Sequence, residues 1–370
     1  MRPRDAATRA ETVGSLLRPP PVIDALTADE TGQSAAGLLD DAVLAAIRVQ
    51  EDAGLDIVTD GEMRRTTWAQ TPRYLDCFEH RPGDGPGLDW RGGDGAAPPP
   101  IRLPFPVVVR PVRDAGHRGN MADEYAFLAR NAHTRTKYCL AAPSYHRRYW
   151  SDQHSRDAYG SCEDFLLDIR DFERAVAAEL LALGCDYLQL DAPNYGSYCD
   201  PDTRARLTAA GRDVAADLAF DAELDNSLLD GLDGATRALH ICRGNAPGGR
   251  WHSAGGYGAI SGELFGRLAF DRLLLEYDTG RAGGFGPLAG VKPGTTVVLG
   301  LLTTKSGALE DADAVAARVA EAAAVKPLDE LAVSTQCGFA SGAVGNPVTP
   351  GEQSAKLRLV AALARRLWPR

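Results

Sequence analysis

Several things are missing from this sequence, and each absence removes a class of protein. No stretch approaches the roughly 18 consecutive apolar residues of a membrane-spanning helix. The opening residues, MRPRDAATRAETVGS, carry no apolar signal core, and the expectation is a cytoplasmic protein. Basic charge is in deficit, with 40 Lys and Arg against 50 Asp and Glu for a net charge of −10. Nucleic acid and anionic membrane surfaces both need a basic face, so neither is an expected partner. The seven cysteines are odd in number and scattered without close pairing, which argues against a disulfide framework and leaves buried thiols or metal ligands. There is no internal repeat and no interdomain linker. The 370 residues are therefore expected to form one domain, 1–370, a length that barrels with insertions commonly reach. Oligomeric state is left open, a homo-oligomer included.

What is present alternates between helix-like and strand-like segments. Helical spacing of apolar residues marks 35–53, 162–183, 202–219, 310–324 and 352–367. Between these lie short apolar runs at 55–59, 137–141, 187–190, 238–242, 273–276, 296–302 and 331–335, with 11–15 as an eighth. Unbroken apolar runs of this length fit strands buried on both faces. Residues 81–104 are too rich in Gly and Pro for a helix or a central strand, and 105–110 reads as one arm of a hairpin belonging to that excursion. Polar and reactive residues follow strand after strand: Asp60-Gly61-Glu62, Asp191, Cys242, Glu276, Thr303-Thr304-Lys305 and Cys337. A doubly wound sheet concentrates its ligands at one switch point, and the first strand-to-helix turn here lacks a GxGxxG loop. The predicted fold class is α/β, a TIM (β/α)8 barrel with a Gly/Pro-rich hairpin excursion near residues 80–110.

His240 and Cys242 are two apart on a predicted strand, so both side chains point to one face, at the barrel mouth. Imidazole and thiolate are both good zinc ligands, yet the same pair also suits a buried thiol beside a hydrogen-bonded core histidine. Cys337 follows the last strand beside Gly338, and Glu276 ends a run of three leucines, where free solvation is not expected. In a closed barrel these strand ends converge.

The pieces Val13-Gly14-Ser15, Asp60-Gly61-Glu62, Gln189-Leu190-Asp191, His240-Ile241-Cys242, Glu276 and Cys337-Gly338-Phe339 carry a family likeness. In that order the chain resembles the C-terminal catalytic barrel of cobalamin-independent methionine synthase, and more closely its single-barrel relatives, which include the epoxyalkane:coenzyme M transferases. The resemblance implies a Zn2+ ion held by His240, Cys242, Glu276 and Cys337, and a thiol-substrate pocket lined by Ser15, Glu62 and Asp191. Three features depart from the synthase: its duplicated N-terminal half is missing, Asp191-Ala192-Pro193 replaces Asp-Glu-Pro, and no histidine follows Thr303-Thr304-Lys305. His146, His154 and His252, all in predicted loops, are candidates to replace that histidine, or plain surface residues. The Gly-rich loop 243–259, with Gly244, Gly255 and Gly256, reads as a lid over the metal or as a surface loop.

The implied activity is zinc-dependent alkyl transfer to a small thiol such as homocysteine, with a methyl-folate, methyl-corrinoid or epoxide partner. A free thiol is mostly protonated at neutral pH, and a metal removes that barrier by favouring thiolate. With four ligands already in place, Glu276, an oxygen donor, is the one expected to give way to sulfur. Glu62 and Asp191 would hold an ammonium group and Ser15 a carboxylate, although Asp60 and Asp191 could equally cap helices. Lys305 and Arg243, at the mouth, would suit an anionic acceptor or electrophile. Coenzyme M transferase-like addition to an electrophile is one alternative. A decarboxylase barrel related to uroporphyrinogen decarboxylase needs no His-x-Cys, and hydrolase or lyase barrels ordinarily use His-x-His with carboxylates around an open water position. A non-catalytic barrel with a structural metal also fits the ligands.

Overall fold

A computed structural model describes residues 8–28, 35–81, 87–92, 101–114 and 119–369. The strands in chain order are β1 (Ala10–Glu11), β2 (Ile57–Val58), β3 (Phe78–Glu79), β4 (Gly87–Trp90), β5 (Ile101–Pro104), β6 (Val107–Val108), β7 (Arg135–Thr136) and β8 (Tyr138–Ala141), followed by β9 (Tyr187–Asp191), β10 (Thr236–Ile241), β11 (Arg272–Glu276), β12 (Thr296–Leu302) and β13 (Leu331–Thr335). Seven of them form one parallel sheet in the order β1-β13-β12-β11-β10-β9-β8. The parallel pair β2–β7 supplies the rest of the wall, so β7 and β8 are two halves of one barrel strand that changes partner at Lys137. The ring closes where Asp56 N donates to Ala10 O at 2.9 Å and Lys137 N donates to Val58 O at 3.1 Å. The expected barrel is the fold observed.

Alternation along each strand sorts the side chains. Leu188, Leu190, Leu239, Ile241, Leu273 and Leu275 join the large apolar core under the helices. Tyr187, Ala238, Leu274, Val298 and Ala332 form a separate cluster with Val13 and Ile57, which is the barrel interior. Below that cluster, at the amino ends of the strands, lies a buried ionic group that sequence reading did not foresee. Glu11 accepts from Lys137 Nζ at 2.8 Å, from Arg272 Nη2 at 2.8 Å and from the Tyr187 hydroxyl at 3.0 Å. Above the cluster, at the carboxyl ends, the same inward alternation carries Asp191, His240, Cys242 and Glu276.

The long helices fall near their predicted bounds: Ala36–Ala53, Cys162–Ala182, Ala312–Ala323 and Pro350–Leu367. Their starts have a local cause, since Ser161, Asp311 and Thr349 each accept a backbone N–H of the first turn, and Thr349 completes a capping box with Glu352. The segment read as one helix over 202–219 is two, Pro201–Ala209 and Val214–Leu228. Gly211 with φ 77° ends the first, and Asp213 caps the second. Helices Pro20–Ala28 and Gly119–Asn131 escaped the apolar pattern. The Gly/Pro-rich excursion is a nested pair of antiparallel ladders, β3 with β6 outside and β4 with β5 inside, so the arm expected at 105–110 is β6. Among the described residues no helix is long and apolar enough to cross a membrane.

Candidate metal centre and substrate cavity

A cavity of about 210 Å³ opens over the carboxyl ends of the strands. Its floor holds Val13, Ser15, Glu62, Asp191, His240, Cys242 and Cys337, and its walls include Trp68, Trp90, Phe105, Tyr145, Arg148 and His252. Trp90 and Phe105 come from the hairpin excursion, which therefore roofs the site.

Two groups of potential ligands lie at that floor, each with its ligand atoms within 4.8 Å of one another: His240, Cys242 and Cys337, and Glu62, Cys139 and Asp191, of which Cys139 sits behind the lining. In the first, His240 Nδ1 is 3.1 Å from Leu274 O, which fixes the ring and leaves Nε2 buried without a hydrogen-bond partner. A ligating imidazole is oriented in the same way, by a backbone carbonyl on its other nitrogen. The paired sulfurs share protons unequally. The hydrogen bond from Cys242 holds the Cys337 thiol well below the ordinary thiol range, with His240 adding to it against burial, and the same bond pushes Cys242 well above. One imidazole and two sulfurs, one already favoured as thiolate, form a donor set that fits zinc.

Glu276 is not within this trio. Its carboxylate accepts from Arg243 N at 2.7 Å and faces Arg281 Nη2 at 3.4 Å. Burial alone would raise its pKa, but Lys305, Arg243 and Arg281 together bring the group down to about 2, so it is a fixed negative charge beside the sulfurs.

The short motifs meet because glycines let them. A Cβ on Gly338 would sit 2.0 Å from Ser15 Oγ, and one on Gly14 would sit 2.6 Å from Glu62 Oε1. Phe339 N donates to Ser15 O at 2.8 Å and Leu16 N to Gly61 O at 3.0 Å, which ties all three turns together. Glu62 takes φ 56° in its turn, where Asp60 Oδ1 accepts from Glu62 N at 2.9 Å. Asp60 and Asp191 thus serve no helix start: Asp191 Oδ1 accepts from Gln189 Nε2 at 2.7 Å. Burial raises Glu62 to about 7, with Asp191 and Asp60 adding to it against Arg65 and Arg18, and burial raises Asp191 to about 6. Glu62 Oε2 has no hydrogen-bond partner. Arg65 Nη1 lies 3.9 Å from Glu62 Oε1 and its Nε 3.3 Å from Glu124, so one shared cation neutralises the acidic group only in part.

Other expected positions fall elsewhere. Arg243 does not face the cavity: its guanidinium donates to Gly255 O at 2.7 and 2.9 Å and stacks 4.2 Å over Tyr257, because the chain after β10 turns outward. Lys305 is not a lining residue either. Its Nζ is buried without a hydrogen-bond partner, and its charge acts on Glu276. Loop 243–259 does form one cavity wall, through Gly244, Asn245, Ala246, Pro247 and His252. It is pinned there by Arg243, by Ala254 N on Asp200 at 2.9 Å and by the Arg91–Trp251 bridge. Gly244 and Gly255 answer to packing, since a Cβ would meet His252 at 2.2 Å and Cys199 O at 2.2 Å respectively, and Gly256 would meet only Ala282 and Gly283 at 3.5 Å and beyond. Of the three loop histidines, only His252 lines the cavity. His146 is fully buried, its Nδ1 3.2 Å from Ala142 O, and is no surface residue. Arg148, which the sequence did not single out, does line the cavity.

No protein-family model matches the chain. It is 33% identical over 380 residues to YxjH of Bacillus subtilis, covering 99% of this chain and 96% of that one. It is 26% identical over 332 residues to 2-hydroxypropyl-CoM lyase of Xanthobacter autotrophicus, covering 81% of this chain and 79% of the relative. Among solved structures it is similar to a B12-independent methionine synthase from Shewanella sp. W3-18-1 in complex with selenomethionine, with a TM-score of 0.70, 21% identity and 97% of each chain covered.

Proposed function

We propose that the chain, which belongs to one family with YxjH, is a single-barrel relative of cobalamin-independent methionine synthase and a zinc-dependent transferase that moves a methyl or related alkyl group to the sulfur of a small amino-acid thiol, homocysteine or a close analogue. The observation that carries this reading is the adjacency on one cavity floor of a soft-ligand trio and an acidic pair that Arg65 neutralises only in part.

His240, Cys242 and Cys337 would hold the ion, with Glu276 beside them as the fourth ligand. Bound there, zinc supplies a Lewis acid that lets a thiol react as thiolate at neutral pH. The remaining chemistry belongs to the chain. Glu62 and Asp191 accept the ammonium group of the thiol and give up any proton they carry to do so. Ser15, held between Gly338 and Phe339, offers its hydroxyl to the carboxylate end. Leu274 O keeps the His240 ring in place. Arg243 N and Arg281 would retain Glu276 within the site after a thiol displaces it, so its charge never reaches solvent. The aromatic walls and the hairpin roof limit water around the sulfur.

The Shewanella structure holds selenomethionine, an amino acid with a methylated chalcogen, which agrees with this product class. A sulfonate-bearing thiol such as coenzyme M fits less well, because Glu62 and Asp191 would repel it where they attract an ammonium group. The test compares homocysteine with 4-sulfanylbutanoate, its counterpart without the amino group. The zinc-loaded protein is expected to bind homocysteine about ten- to a hundredfold more tightly, since a charge-assisted hydrogen bond contributes roughly 1.5–3 kcal/mol. Glu62→Gln or Asp191→Asn should remove most of that preference and leave 4-sulfanylbutanoate unaffected. Equal affinity for the two thiols in the wild type would mean that the pocket does not read an ammonium group.

A further inference from the structure

A second cavity, of about 350 Å³, lies between helices Ala36–Ala53 and Gly119–Asn131 and the segment that follows Glu62, and it shares no lining residue with the first. Both signs of charge line it without full partners. Arg64 is paired with Asp40, but Arg73 and Arg130 have no ion pair among the described residues, Arg73 donating only to Arg64 O at 3.3 Å. Asp123 is likewise unpaired among the described residues, and beside it Glu124 is buried. Leu39 and Phe127 add apolar surface.

Glu124 joins this cavity to the thiol pocket. Its Oε2 accepts from Arg65 Nε at 3.3 Å and from the Tyr138 hydroxyl at 2.8 Å, while Arg65 Nη1 lies 3.9 Å from Glu62 Oε1. The Arg65 guanidinium is buried and held in place, donating to Cys139 O at 3.1 Å and lying 4.8 Å from the centre of the Tyr138 ring. One fixed cation is thus shared by two buried acids, one in each cavity. Burial pushes the Glu124 carboxyl up against the pull of Arg65, so Glu124 gains from any further cation brought to it.

Resting on the reading of Glu62 as an ammonium acceptor, we infer that the second cavity is an effector site for a free α-amino acid, which weakens thiol binding through Arg65. The planar fork of Arg73 takes the carboxylate, with Arg130 beside it, and Glu124 and Asp123 take the ammonium group. A simple cation or anion would leave one of the two unpaired signs unmatched. Once an ammonium group sits on Glu124, the charge of Arg65 acts more fully on Glu62. Glu62 then attracts the ammonium of homocysteine less strongly. No element has to move, because the coupling runs through the charge of a fixed guanidinium, and it is reciprocal: bound homocysteine weakens the effector by the same factor.

L-Norleucine is the test ligand, because it is an amino acid with no sulfur to offer the zinc. Its binding to the zinc-loaded protein, and its effect on thiol binding, are followed by titration calorimetry. Saturating norleucine should lower homocysteine affinity about five- to tenfold and then no further, the scale of an ordinary coupling between sites. Affinity for 4-sulfanylbutanoate, which has no ammonium group for Glu62 to read, should not change. Hexanoate and norleucine amide, each lacking one of the two charges, should bind at least about tenfold more weakly than norleucine. Arg73→Met should abolish norleucine binding and its effect, and normal homocysteine affinity in that variant shows that it is folded. Glu124→Gln should bind homocysteine weakly from the start and respond no further to norleucine. Homocysteine affinity unmoved by norleucine overturns the inference. A loss shared by both thiols, or kept in Arg73→Met, also overturns it, because norleucine would then be competing in the thiol pocket. Failure of homocysteine to bind the wild type would count against the thiol reading, and norleucine binding that is lost in Arg73→Met would still keep the effector site.

Discussion

Glu62 shows how a single residue can be legible in type and illegible in conformation. Its place after a strand, next to a glycine, marked it for the site, but nothing in the sequence showed that it takes φ 56° or that Gly14 makes room for its carboxylate. Its carboxyl, raised by burial to about 7 from an ordinary 4.5, makes a prediction with a definite sign. A buried acid of this kind favours folding fully below its unfolded pKa, and that contribution is lost as pH rises through the folded value. Without ligand, the wild type should therefore lose stability relative to Glu62→Gln between about pH 4.5 and 7, as read from urea midpoints across that range. Bound homocysteine should reverse the loss, since its ammonium favours the ionised form. Parallel curves for the two proteins without ligand would show that Glu62 is not desolvated as described. Arg148 is the opposite case, because the sequence shows two adjacent arginines in YHRRY with no sign of which is paired. That depends on Asp221, which lies 74 residues further on.

At the scale of elements, the strands were legible because buried parallel strands read as unbroken apolar runs, and the reactive residues stood just past them. Their boundaries were less so: the strand expected at 11–15 is Ala10–Glu11, so only Glu11 of that run pairs, and the run at 55–59 pairs only at Ile57–Val58, because there the backbone turns into the site instead of continuing the ladder. The hidden feature was the ionic group of Glu11, Lys137 and Arg272, whose members come from three separate strands and look like ordinary charges in sequence. Burial alone would raise the pKa of Glu11, but the two cations hold the group at about 2, so its stabilisation is present above the ordinary carboxylate range and lost only as pH falls toward that value. Removing one member leaves buried cations without their partner. Glu11→Ala is predicted to cost about 3–5 kcal/mol in urea unfolding, the usual scale for breaking a buried charge group. Zinc content should stay unchanged, because this group lies at the opposite end of the barrel from the sulfurs. A loss below about 1 kcal/mol, typical of exposed pairs, would contradict the account.

In the whole molecule the two ends of the barrel divide the work, with charge pairing for stability at the amino ends of the strands and chemistry at the carboxyl ends. The excursion at 80–110, recognisable from its Gly and Pro content as a departure from the barrel, brings Trp90 and Phe105 over the cavity, and no composition argument could have shown that the arm folds back. The convergence of His240, Cys242 and Cys337 was legible as soon as the strands were placed around a barrel. The placement of Arg243, Lys305 and Glu276 was not, because each turns on contacts made by loops beyond the strand ends. The central claim is that this convergence exists to hold zinc for a substrate sulfur. X-ray absorption at the zinc edge of the zinc-loaded protein tests it most directly, by counting sulfur neighbours before and after saturation with homocysteine. The account predicts two before, from Cys242 and Cys337, and one more after. An identical zinc environment with and without saturating homocysteine would contradict it.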